Sequence, residues 1–392
     1  MSDQLRKFAT PLLFTGDGQV LKDAVIITDS IGNILAIEEN VSTLAGDVQK
    51  IDGAITPGHI NTHCHLELSH MKGKVDTGTQ LLPFLKAVVS FRDIDQEQIH
   101  QAIEAADAEM YQNGIVAVGD ISNKADTAPT KKNSSIRYYT FVEMFDFLQD
   151  GLAAKTFDQY MDVYEAHSGY KSVAPHAPYT VSRSLFQKIN GVNTPGSTVS
   201  IHNQETPHEN ALFVHGTGGF MEFFTGFGFD MSAFRPTGKT AIHYALENMR
   251  HDTRILMVHN TTSTAEDIDA AHHLNQEVFW ASCPNANLYI ENRLPDYTQF
   301  LSAGAKMTLG TDSLTSNWQL SIAEEMFTIS KYCSYVAAAE LITWATANGA
   351  KALGFDDLGV IAVGKKPGLV QMDISEISGQ LKINSGISKR II

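Results

Sequence analysis

The chain has 392 residues, 43% hydrophobic and 19% charged, the balance of a globular protein with room for one large domain and a smaller one. Its 29 basic and 44 acidic residues leave a net charge of −15, which repels phosphate backbones and argues against nucleic acid as a partner. No basic run offers a membrane-surface patch, and nowhere do about 18 apolar residues run together to span a bilayer.

The opening segment, MSDQLRKFATPLLFTGDG, carries charge from the start and reads as neither signal peptide nor anchor. VLKDAVIITD, NILAIEE and VQKIDGAI then follow as short β-rich runs between Gly, Asn and Asp turns. The same flavour returns at the C-terminus in GVIAVGKKPGLVQMD and LKINSGISKRII. The two ends are therefore expected to pair into one small β-subdomain, residues 1–53 with 356–392.

Between them, over residues 54–355, short apolar runs alternate with helical patterns, the βαβ rhythm of a parallel sheet. The candidate strands are AITPGHINTH, GIVAVGDI, RYYTFVEMF, KSVAPHAP, STVSIHNQ, RILMVHN, EVFWASCP and KMTLGTD. Eight is the number that closes a (β/α)8 TIM barrel. The intervening helices include DQEQIHQAIEAADAEMYQN, SRSLFQKIN, STAEDIDAAHHLN and SIAEEMFTISKYC, with Ser182 and Ser263 as expected N-caps of the second and third. Two connections are long. Residues 122–136 read as a polar, mobile loop. Residues 206–240 hold seven phenylalanines among glycines, and suit either a lid over an active site or the interface of a homodimer. The cysteines, Cys64, Cys283 and Cys333, are odd in number and far apart. They fit a reducing cytoplasm and neither a disulfide framework nor a zinc knuckle.

In a barrel the C-terminal ends of the strands face the active site. The first run ends in His63-Cys64-His65, and side chains two apart on a strand point the same way, so both imidazoles can face one ion. Cys64, between them, should point away and pack. The fifth run ends in His202, the sixth in His259 and the eighth in Asp312. Imidazole nitrogen and carboxylate oxygen suit zinc or ferrous iron.

Taken in order, ITPGHINTHCHLELS, APHAPYTVS, SIHNQE, MVHN, SCPNANL and LGTDSLTSN resemble the chlorohydrolase and aromatic deaminase branch of the amidohydrolase superfamily. HCHLELS in particular resembles the aminodeoxyfutalosine deaminases. The resemblance implies a barrel holding one divalent metal, Zn²⁺ with Fe²⁺ as the alternative. It implies His63, His65, His202 and Asp312 as ligands and Glu205 as the acid that shuttles a proton to the substrate ring. It also implies that His259 positions the attacking water and that His176 touches substrate. The carboxylated lysine of binuclear members has no counterpart at the end of strand four, where His176 stands and the only lysine, Lys171, lies at the start; a mononuclear site follows.

Glu67 is a further candidate for binding substrate, with a salt-bridged carboxylate at the loop base as the alternative. Glu143 reads as structural, Asn285 and Asn287 as braces of the loop after strand seven, and Ser313 and Asn317 as groups that fix the Asp312 carboxylate. The expected function is metal-dependent hydrolytic deamination of an aminated N-heterocycle, a purine base or adenosine-like nucleoside. The alternatives are release of chloride or a cyclic amide nitrogen, and a catalytically dead barrel that only binds.

Overall fold

The structure is a computed structural model that describes residues 5–41 and 47–392. The two ends of the chain build one sheet. Its strands run in the order Gln380–Arg390, Leu369–Ile377, Ala54–Pro57, Arg6–Phe14, Val20–Thr28, Ile34–Glu38, with the short strand Gln49–Lys50 also on Arg6–Phe14. Phe8, Leu13, Ile26, Ile55 and Leu369 form its buried layer. Strand Arg6–Phe14, interrupted in sequence by Pro11, was not singled out above, yet it lies inside the sheet.

The second part is the expected set of eight parallel strands. His59–Cys64, Ile115–Ser122, Arg137–Met144 and Tyr170–Pro175 form one four-stranded arc. Thr198–Asn203, Arg254–His259, Val278–Ser282 and Lys306–Leu309 form the other. The arcs meet at two seams with few bonds. At one, the Thr311 and Asp312 N–H groups donate to the His63 carbonyl; at the other, the His202 N–H donates to the His176 carbonyl. Residues of the candidate site make the backbone bonds of both seams at the strand ends, and side chains bridge them further back, Thr62 Oγ1 to the Leu309 carbonyl at 2.9 Å and Ser172 Oγ to the Thr198 carbonyl at 2.6 Å. Among the described residues no helix is long and apolar enough to cross a membrane.

Three local expectations change. The run 54–63 is two strands rather than one. Ala54–Pro57 pairs with Leu369–Met372 in the terminal sheet, and the chain crosses to the barrel at Gly58. Any Cβ at Gly58 would meet Val116 at 2.3 Å and the Pro367 carbonyl at 2.6 Å, so only glycine lets the two layers approach. Ser182 caps its helix as expected, accepting from the Leu185 N–H, but Thr264 rather than Ser263 caps the next. The stretch STAED offers two overlapping capping boxes. The choice falls on Thr264 with Asp267, whose carboxylate also receives Gln204 Nε2 at 2.9 Å and the Thr240 hydroxyl.

The third change is residues 122–136, which contain a short helix, Ala128–Asn133, instead of a plain loop. It delivers Lys131 to the buried Asp120, Nζ to Oδ2 2.6 Å, while Asp120 Oδ1 accepts the Leu66 N–H at 2.8 Å. The pair thus holds the turn just after His65. Lys131→Met keeps the volume but strands a fully buried carboxylate, so it should cost about 3–5 kcal/mol. Thermal unfolding of the purified variant checks this, and an unchanged midpoint would refute it.

Candidate metal and catalytic site

The strand ends bring most of the expected residues together. His63 Nε2 lies 3.2 Å and His202 Nε2 3.3 Å from His65 Nε2. Asp312 Oδ1 lies 3.6 Å from His63 Nε2 and 3.4 Å from His65 Nε2. His202 spends its Nδ1 proton on the His176 carbonyl at 2.9 Å, which leaves the Nε2 lone pair facing the other two rings. Acceptors that crowd together in this way need a cation between them. Donor atoms about 2.0–2.2 Å from one zinc ion lie roughly 3–4 Å from one another, the spacing seen here, so these four residues would hold one zinc-sized ion. When bound there, a divalent ion supplies a water whose pKa is about 7 in place of 15.7.

The electrostatics agree. Burial pulls His63, His65, His176 and His259 down to about 4, so these rings stay neutral at pH 7 and keep a lone pair. Burial also opposes charge on His202, but the Glu143 carboxylate outweighs it and lifts His202 to about 9. A metal ion bound at Nε2 would take the place of the second proton that Glu143 favours on this ring. Asp312, despite burial, is held far below the usual carboxylate range by His63, His65 and His259.

Strained backbone sets the polar groups in place. Gln204, His259, Asn260 and Asp312 all have φ between +47° and +72°, unusual for residues with a Cβ. Each sits where a strand ends and the chain turns. The turn at Gln204 is stabilised by buried Glu209, whose carboxylate receives the N–H groups of Gln204, Glu205 and Thr206. This capping box with Thr206 points Glu205 into the site, with Oε2 3.8 Å from His259 Nε2. Burial and the nearby Asp312 push the Glu205 carboxyl well up, against the pull of His202. His259 is oriented from behind, its Nδ1 donating to Asn287 Oδ1 at 2.8 Å.

Several second-line expectations change. Glu67 does not line the cavity. Its Oε2 accepts the Asn123 and Lys124 N–H groups at 2.9 and 3.0 Å, and Arg92 pairs with Oε1 at 3.3 Å. Its place is that of the salt-bridged carboxylate at the loop base. Neither Ser313 nor Asn317 touches the Asp312 carboxylate; Ser316 does, Oγ to Oδ2 2.6 Å, while Asn317 holds the Thr311 carbonyl. Asn285 braces its loop as expected, but Asn287 serves His259. Glu143 stands closer to the chemistry than expected, with Oε1 3.3 Å from His202 Nδ1 and the residue lining the cavity. Lys171 donates to the Tyr164 and His167 carbonyls at the start of its strand, so it bridges no metal pair. Cys64 is fully buried and packs in the core.

Above the polar floor lies a cavity of about 360 Å³ whose outer wall is apolar. Leu81, Phe84, Leu85 and Val88 come from helix Leu81–Phe91, which the sequence reading did not single out. Phe223, Phe224, Phe227 and Phe229 come from the 206–240 segment, and Phe147 stacks on Phe229 with ring centroids 4.4 Å apart. The segment therefore covers the mouth, the first of its two expected placements.

Comparison with known proteins gives the family and the fold. A model of the amidohydrolase family matches residues 54–389. The chain is 28% identical to an aminodeoxyfutalosine deaminase of a Nitratiruptor species, over 94% of this chain and 90% of that one. It is 26% identical to an adenosine deaminase of Helicobacter pylori, over 83% and 80%. Among solved structures, Helicobacter pylori aminofutalosine deaminase in complex with methylthio-coformycin superposes with a TM-score of 0.78 at 22% identity, covering 99% of this chain and all of that one. An adenosine deaminase from Xanthomonas campestris with bound zinc gives 0.66 at 23%, covering 95% and 86%. With the histidine and aspartate ends of its parallel strands gathered as described, and the family model spanning most of its length, the chain belongs to the amidohydrolase family.

Proposed function

We propose that the protein is a hydrolytic deaminase of adenosine-like nucleosides, with one zinc ion per chain held by His63, His65, His202 and Asp312. The observation that carries this reading is the placement of Glu205. It is a buried carboxyl with a raised pKa, beside His259 and next to the converging ligands, at the floor of an apolar cavity. A group so placed can protonate a ring nitrogen and raise the electrophilicity of the adjacent amino-bearing carbon. His259 orients the attacking water, and Asp312 accepts a proton from it. Glu205, emptied by its transfer to the ring nitrogen, takes the remaining proton of the added water from the hydroxyl now on the carbon and passes it to the amino group, which leaves as ammonia. The proton held by Asp312 then replaces the one Glu205 gave to the ring, so oxygen replaces nitrogen and both carboxyl groups return to their starting states. His176, bonded through Nδ1 to the Thr180 hydroxyl at 2.7 Å, presents its ring to the substrate. Exclusion of bulk water by the apolar wall strengthens each of these interactions. The relatives named above carry deaminase names, in keeping with this chemistry, and the free cysteines suit a cytoplasmic enzyme.

The wall also narrows the substrate. Among the described residues Arg92 is the only lysine or arginine lining the cavity, and Glu67 already pairs with it, so a 5′-phosphate finds no free cation. An apolar 5′ substituent can instead bury itself among the phenylalanines. Burial of a side-chain-sized apolar group contributes roughly 1.5–3 kcal/mol, or on the order of 10- to 100-fold in affinity. Ammonia release from a panel of aminopurines checks both steps. Turnover should be best for 5′-alkylthio or 5′-aryl adenine nucleosides, lower for adenosine and least for adenosine 5′-monophosphate. Preference for the monophosphate would overturn the wall argument, and turnover of linear amides alone would overturn the deaminase reading.

A further inference from the structure

Glu325 is completely buried on helix Ile322–Tyr332 and lies outside the cavity. Three N–H donors meet its carboxylate: the Asn285 N–H to Oε2 at 2.9 Å, Asn285 Nδ2 to Oε1 at 3.0 Å, and Asn317 Nδ2 to Oε1 at 2.8 Å. The Asn285 N–H belongs to the first turn of helix Pro284–Glu291, so the partial positive end of that helix, with the asparagine donors, favours the charge against burial, which pushes the carboxyl up to about 8. Thr328, one turn further along the Glu325 helix, donates to Asn285 Oδ1 at 2.6 Å and completes the set.

The two asparagines lead in different directions. Asn285 anchors the helix that carries Asn287, the acceptor for His259 Nδ1. Asn317 also donates to the Thr311 carbonyl at 2.7 Å, on the peptide that joins Thr311 to Asp312. Asp312 and His259 both hold positive φ, at 58° and 72°, conformations that persist only where neighbours over-determine them. One buried carboxylate thus ties together the loops after strands seven and eight, and through them the two residues that handle the attacking water.

We propose that Glu325 is a positioning residue that holds Asp312 and His259 in their working conformations by bonding the loops behind both. The inference rests on the metal and catalytic assignment above. Outer partners of metal-ligating groups commonly contribute 10- to 100-fold in metal affinity or rate.

Glu325→Gln keeps the volume but turns an acceptor into a donor facing donors. The apo-protein, reloaded with zinc alone and titrated by chelator competition, should show a zinc dissociation constant about tenfold to a hundredfold above wild type. With the best nucleoside, kcat should fall over the same range, about tenfold to a hundredfold, while KM stays within about threefold. The fall in kcat should shrink in an Asn287→Ala background, where His259 is already released. A merely structural Glu325 lowers the thermal midpoint and leaves zinc affinity and the kcat of the folded variant unchanged, and that result overturns the proposal. Should Glu325→Gln fail to fold, Asn317→Ala cuts the branch to Thr311 and leaves the branch through Asn285, and wild-type zinc affinity in that variant overturns the proposal equally. A wild-type protein that binds zinc but deaminates no aminopurine nucleoside sinks the deaminase reading alone, because the zinc titration still decides the role of Glu325.

Discussion

Glu205→Gln is expected to lower kcat by roughly 10²–10⁴-fold, the usual worth of a positioned general acid–base, while the protein keeps its metal. The amide retains the shape of the side chain, and the turn that aims it is unaffected, because Glu209 holds the backbone N–H of residue 205 and not its carboxyl. What disappears is the only group at that position able to take up a proton and deliver it to ring nitrogen and amine. The side chain approaches His259 rather than the three converging imidazoles, so elemental analysis should still find one ion per chain. Loss of the ion in this variant, or near wild-type turnover, would show that Glu205 is not the proton carrier.

His202→Ala is expected to lose the ion and essentially all activity together. Its Nε2 is one of three imidazole nitrogens whose positions fall within 4.8 Å of one another. Two neutral imidazoles and one carboxylate make a poorer site than three and one. Without the ion, several kcal/mol of charge stabilisation are lost, on the order of 10³-fold or more in rate. The two variants therefore look alike in a rate assay and separate in a metal assay. Zinc returned in excess should restore neither variant to wild-type rate, and two tightly bound ions per wild-type chain would sink the mononuclear site. A His202→Ala protein that keeps a full complement of metal would remove His202 from the ligand set.

The parts of this site legible beforehand share one property. Each is a chemically distinctive residue at the end of an apolar run. His63 and His65 lie two apart where strand His59–Cys64 ends, and a period of two carried one residue past that end turns both to one side. His202, His259 and Asp312 follow runs that are buried in a parallel sheet, and the ends of such strands open on the site by topology alone. The orientation of Glu67 had no such rule behind it. It sits in a turn after the strand, and its direction is set by Asn123, Lys124 and Arg92, which come from elsewhere in the chain. The same holds for Ser316, which bonds Asp312 where Ser313 and Asn317 were expected. Three polar residues within five positions of one loop are equivalent until the loop is folded.

Short-range pattern on its own thus determined that this chain builds eight strands with helices between them, that its ends form a separate sheet, and which histidines and aspartate meet. Those features depend on side-chain period and burial, which repeat locally along the chain. Only the tertiary structure decided that the chain changes sheets at Gly58, that helix Leu81–Phe91 and the 206–240 phenylalanines form one apolar wall, and that Glu325 stands behind two loops. Each of these depends on contacts between residues far apart in sequence, where van der Waals fit and hydrogen-bond geometry select one arrangement among many that the local pattern allows equally.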